Sequence, residues 1–149
     1  MQRARLLAGF AKREITPKKP MFLVGYPHVS RTSTGIHDPI LASSLYMDNG
    51  TTQLIMIALD LLFMSPDHVC TCRNAINTKT GVPVGNIMIS VTHTHSAPVT
   101  VNYLAFKGDP VVPPADQAYL DFVREQIVNS AVNARKNATP AEFAVTTAK

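Results

Sequence analysis

A chain of 149 residues with 46% apolar and 16% charged side chains can bury a real core, as one ordinary domain or the front portion of a larger one, and need not be disordered. No apolar run approaches the roughly 20 residues that cross a bilayer; residues 54–63 come closest, and Asp60 interrupts them. The formal net charge of +4 comes from scattered lysines and arginines, without the continuous basic face interleaved with aromatics that nucleic-acid binding calls for.

The basic start of the chain has no apolar stretch behind it, so no signal peptide is read and a cytoplasmic location is the default expectation. Peripheral contact with an anionic lipid surface is compatible with the charge but not demanded by it. Residues 6–15 predict a first strand, closed by Thr16-Pro17. Pro17 and Pro20 then impose an irregular turn, because proline lacks the donor a ladder needs. A short apolar run over 21–26 precedes a polar loop over 27–35. Residues 39–47 predict a second strand, and Asp48-Asn49-Gly50 supplies a tight hairpin turn. Its partner over 52–62 is apolar on both faces, the pattern of a central strand covered on both sides.

Ser65-Pro66-Asp67 is a helix start: a hydroxyl cap, a proline in the first turn and an acid at the positive dipole end. That helix runs to about Thr80, where Gly81 stops it. It carries Cys70 and Cys72, which point about 200° apart and so are poorly placed to bridge each other or share a metal; they read as ordinary thiols, at least partly buried. Residues 86–91 predict another buried strand, whose end carries Thr92-His93-Thr94-His95. The connection over 96–114 is long enough to expect a task such as covering a site. Asp116 caps a second helix with apolar positions Tyr119, Phe122, Val123, Ile127, Ala131 and Ala134. Thr139-Pro140 ends it, and residues 143–147 predict a last strand. The order predicts an α/β fold: a mixed β-sheet with an antiparallel hairpin and flanking helices. A last strand with no closing helix reads as an incomplete portion of a larger domain.

His93 and His95 carry the strongest chemical signal. Residues two apart in a strand face the same side, so both imidazoles are expected in one pocket beyond the carboxyl end of a strand, where α/β folds collect ligands. Imidazole is a common zinc ligand, and the hydroxyls of Thr92, Thr94 and Ser96 offer partners that orient the rings. The plain alternative is a hydrogen-bonded polar edge with no metal, since a catalytic zinc usually takes three protein ligands.

Thr92-His93-Thr94-His95-Ser96-Ala97-Pro98 resembles the Thr-His-Thr-His-Ser-Gly-Pro motif of neutral/alkaline non-lysosomal ceramidases, with Ala97 where that family usually has glycine. Three further segments are similar in the same order: Ala8-Gly9-Phe10-Ala11-Lys12-Arg13-Glu14-Ile15-Thr16-Pro17, Gly35-Ile36-His37-Asp38-Pro39 and Ala58-Leu59-Asp60-Leu61-Leu62. The resemblance spans nearly the whole chain and implies the N-terminal part of a catalytic domain. It implies Zn2+ as cofactor, His93 as a zinc ligand, and His95 as a catalytic residue beside the metal that contacts the substrate or oxyanion. It also implies that the other ligands, a histidine, a glutamate and a tyrosine, lie beyond Lys149, so that this chain alone binds zinc weakly and is inactive by itself. The implied activity is amide hydrolysis of ceramide-like N-acyl sphingoid lipids, with a lipid amide as partner.

His37 and Asp60 read equally as groups near the metal or substrate and as structural groups, His37 bonded to backbone and Asp60 capping a loop. His28 and His68 are expected to be solvated, while Tyr103 and Phe106 are candidates for an apolar groove or for simple packing. Two other functions are weighed. One is a different metal-dependent hydrolase, with His37, Asp60, His93 and His95 converging on one metal; the other is a non-catalytic truncated domain.

Overall fold

The computed structural model describes residues 6–26, 29–102 and 108–147; His28, Tyr103 and Phe106 lie outside them. The strands are β1 (Leu7–Glu14), β2 (Leu41–Asp48), β3 (Gln53–Leu59), β4 (Ile87–Val91) and β5 (Thr139–Pro140), and the helices are α1 (Pro66–Thr80) and α2 (Gln117–Lys136). Among the described residues they form one mixed sheet in the order β4-β3-β2-β1-β5. β1, β2 and β3 pair antiparallel, whereas β4 returns parallel to β3 after the α1 crossover. At the hairpin turn Asp48 and Asn49 accept backbone N–H groups of Gly50, Thr51 and Thr52, as their short polar side chains favour.

Both helices are bounded as their sequences predict. Ser65 accepts from the His68 N–H, and Gly81 closes α1 in the left-handed region. Asp116 accepts from Tyr119 at the start of α2, and the Lys19 ammonium 3.0 Å away helps hold its carboxyl below the usual carboxylate range. α2 lies across β1, β2 and β3, and α1 packs beside it. The core between them contains Ile55, Ile57, Leu59, Ile76, Ile87 and Ile127, all essentially without solvent contact. Polar groups in this layer are paired: Ser44 meets Ser130 at 2.6 Å, and the Tyr119 hydroxyl donates to the Ile15 carbonyl. Gly9 lets α2 close down on β1, because any Cβ there would overlap the Ala134 carbonyl.

Three expectations need correction. Residues 53–59 form a central strand, but it is covered on one side. Ile55, Ile57 and Leu59 face the helices, whereas Ala58 faces away and is exposed. On that second face the register aligns Phe10, Leu45, Met56 and Met88, with Phe10 55% and Met88 44% exposed. Both helices pack on the same face, so among the described residues the apolar alternation of β3 and β4 has a partner layer on one side only.

The last strand is Thr139–Pro140 rather than residues 143–147, and Phe143 and Val145 are exposed. Pro140 pairs with Leu7 at the start of β1, and residues 141–147 form no strand among the described residues. Of the two thiols, Cys72 is buried and Cys70 exposed, because α1 turns only the Cys72 side toward the core.

Candidate active site

β3 and β4 run parallel and end level, Leu59 beside Val91, so both deliver their next residues to one end of the sheet. There Asp60 accepts from the Leu41 N–H at 2.9 Å and from the Thr92 hydroxyl at 3.2 Å, while the Thr92 N–H donates to the Leu59 carbonyl. Asp60 thus ties the starts of two turns to β2, which is the loop-capping role, one residue from His93.

The two imidazoles do come together, but not through strand alternation. β4 stops at Val91, and His93 adopts φ 61°, a left-handed backbone uncommon outside glycine and found at functional turns. The turn sets the ring centroids of His93 and His95 5.3 Å apart at an interplanar angle of 69°. His93 Nδ1 lies 3.1 Å from the Leu62 carbonyl. A carbonyl only accepts, so Nδ1 carries the proton and the Nε2 lone pair is left for a ligand. Phe63 meets the same ring edge-on at 5.0 Å. His93 is exposed, and His95 is half-buried.

His95 is set by a segment that sequence reasoning passed over. Residues 21–26 and 29–33 lie against each other through the Phe22–Thr32 bridge and the Leu23 N–H to Arg31 carbonyl bond. They dock on the His-rich turn through the Leu23–Pro98 bridge and the Val24 N–H to Ala97 carbonyl bond. Ala97, the departure from the motif, is fully buried at this junction. Gly25 has φ 122°, and a Cβ there would stand 2.5 Å from Cγ of His95, so only glycine admits the ring. Tyr26 meets His95 edge-on at 5.3 Å, and the Arg31 guanidinium donates to the His95 carbonyl. The available signal was slight: Gly25-Tyr26 ends an apolar run just before a polar loop.

His93 and His95 line a cavity of about 200 Å³ walled by Phe22, Val24, Tyr26, Leu62, Phe63 and Val112. Thr94 and Ser96 line a separate, more polar cavity of about 790 Å³ that also contains Asp60, Arg31 and, at its rim, His37. His37 has a side chain 99% exposed and pairs with Asp38 at 2.6 Å. The four residues of the self-contained metal site are therefore divided between two cavities. Among the described residues no group of three or more His, Cys, Asp or Glu is placed to hold a metal ion. His68 is partly buried rather than solvated, its Nδ1 2.9 Å from the Ser65 hydroxyl.

Comparison with solved structures identifies the class of fold. The chain superposes on neutral ceramidase from Pseudomonas aeruginosa with a TM-score of 0.78 at 22% identity, covering 92% of this chain and 22% of that one. It superposes on a ceramidase complexed with C2 with a TM-score of 0.79 at 21% identity and the same coverage. The chain thus has the fold of a segment of a bacterial neutral ceramidase, and it spans about a fifth of the length of these proteins. No protein-family model matches it, and no curated protein is significantly similar in sequence. No helix among the described residues is long and apolar enough to cross a membrane.

Proposed function

We propose that this chain contributes the His93–His95 part of the active site of a zinc-dependent amide hydrolase acting on ceramide-like N-acyl lipids. The observation that carries the proposal is the His93 ring: its Nδ1 is engaged by the Leu62 carbonyl, and the ring lines an apolar cavity shared with His95. A neutral imidazole oriented through its far nitrogen is the form a zinc site uses. The donor set fits zinc in part, since two imidazoles fall short of the three protein ligands that a catalytic zinc usually takes. The missing ligands are assigned to segments of a longer protein, in keeping with the chain spanning about a fifth of its structural neighbours.

Zinc, when bound, supplies Lewis acidity to the amide carbonyl. The chain's own residues do the rest. Phe22, Val24, Leu62 and Phe63 accept hydrocarbon next to the amide and keep bulk water away. His95, with no partner on either ring nitrogen among the described residues, is free to hydrogen-bond the substrate oxygen as charge develops on it. Asp60, through Thr92, holds the turn that presents both rings.

The test is hydrolysis of a fluorescent N-acyl sphingoid amide by the intact protein. His95→Ala is expected to lose about 10²–10³-fold in kcat, the magnitude of a lost oxyanion donor. A His95→Ala protein that hydrolyses the amide at the wild-type rate contradicts the assignment.

A further inference from the structure

His95 lacks the anchors that His93 has. Its ring nitrogens have no hydrogen-bond partner among the described residues, and it follows a left-handed turn rather than a strand ladder. Yet its ring is closely packed. Gly25 forms the floor, at a distance that admits no side chain. Tyr26 presents its ring edge-on, with an interplanar angle of 83°. The guanidinium of Arg31 lies 4.5 Å from the centre of the Tyr26 ring and donates from Nη2 to the His95 main-chain carbonyl. The circuit closes: Arg31 grips the backbone of His95 and the face of Tyr26, and Tyr26 abuts the His95 ring.

Arg31 holds this place at a cost. Its Nε is buried without a partner among the described residues, an unfavourable state for a charged donor. Arg31 is fixed in turn by its own carbonyl, which accepts from the Leu23 N–H. Residues 21–26 and 29–33 are thereby joined to the turn that carries the imidazoles.

We infer that Arg31 and Tyr26 are positioning residues that set the orientation of the His95 ring, leaving both its nitrogens free for substrate. The functional half of this inference rests on the hydrolase proposal; the structural half does not. A ring held by packing and by its main chain, rather than by a hydrogen bond to a nitrogen, keeps its full donor and acceptor capacity for the reaction. Arg31 lines the polar cavity on the far side of the wall, and only Tyr26 reaches the apolar one.

The experiment compares imidazole NMR signals of the metal-free chain in wild type, Tyr26→Leu, Arg31→Met and Arg31→Lys. Tyr26→Leu and Arg31→Met are expected to move the His95 ring signals, through loss of the Tyr26 ring current and of the carbonyl grip. His93, held by Leu62, stays at its wild-type position. Arg31→Lys, which keeps the charge over the ring but loses the planar fork, is expected to restore the His95 signals in part. Unchanged His95 signals in both Tyr26→Leu and Arg31→Met overturn the inference. So does equal movement of His93 and His95, which marks a loosened turn rather than a positioned ring. Tyr26 is 52% exposed, so if Arg31→Met does not fold, Tyr26→Leu decides. In the intact protein, Arg31→Met is expected to lower kcat about 10- to 100-fold with little change in KM. An inactive wild type would refute the hydrolase proposal and leave the NMR result standing.

Discussion

Two apolar clusters in this molecule are built in opposite ways. The main one lies between sheet and helices and draws on β2, β3, β4, α1 and α2, with residues recurring at strand and helix periods. The small one lies under the imidazoles and gathers Val24, Leu62 and Val99, with Phe22, Phe63 and Val112 around them, all from turns and connections. The first distributes its free energy over many equivalent contacts. The second depends on a few single approaches between segments some 70 residues apart, such as Gly25 on His95. The difference separates residues that hold the fold from residues that aim the site.

The sharpest test of that division is stability. Ile57→Ala, in the main core, is expected to cost about 2–5 kcal/mol in urea unfolding, as buried large-to-small changes do. Leu62→Ala is expected to cost less, because Phe22, Phe63 and Val112 are only partly buried and can relax toward the space. Equal or reversed costs would erase the distinction between the clusters.

Function should invert the order. Gly25→Ala is expected to displace the His95 ring and lower kcat of the intact protein about 100-fold. Its effect on urea unfolding should be far smaller than that of Ile57→Ala. A Gly25→Ala protein with wild-type kcat would show that the close approach is incidental.

Legibility in the sequence follows the same line. The helices, their caps and the four longer strands are visible because periodicity and capping chemistry repeat over many residues: Ser65, Gly81 and Asp116 stand where their side chains or backbone are needed. The pairing of His93 with His95 was also visible, although a left-handed turn rather than strand alternation produces it. Gly25, Tyr26 and Arg31 were not, since nothing local distinguishes a residue whose partner is 64 positions away, as Arg31 is from His95. His37 drew attention for its place in a motif, but motif membership says nothing about direction, and its side chain points to solvent. The bare sheet face could not be foreseen either, because apolar alternation on both sides states a preference for burial without naming the layer that satisfies it.

A smaller effect contrasts the two faces of α1. Burial pushes the Cys72 thiol up to about 11 from 9.0, whereas Cys70 is exposed. A folded-state pKa above the unfolded one adds stability that is complete below about pH 9 and lost as pH rises through about 11. Cys72→Ala is expected to flatten the alkaline limb of the stability profile, and a thiol reagent should modify Cys70 in the folded chain but Cys72 only on unfolding. Rapid modification of both in the folded chain would contradict the packing of α1.

The central claim is that His93 is a metal ligand and His37 is not. Zinc content of the intact protein, measured after metal removal and reloading, tests it directly in wild type, His93→Ala and His37→Ala. The account predicts stoichiometric zinc in wild type and His37→Ala, with a loss in His93→Ala. Undiminished zinc in His93→Ala would contradict it.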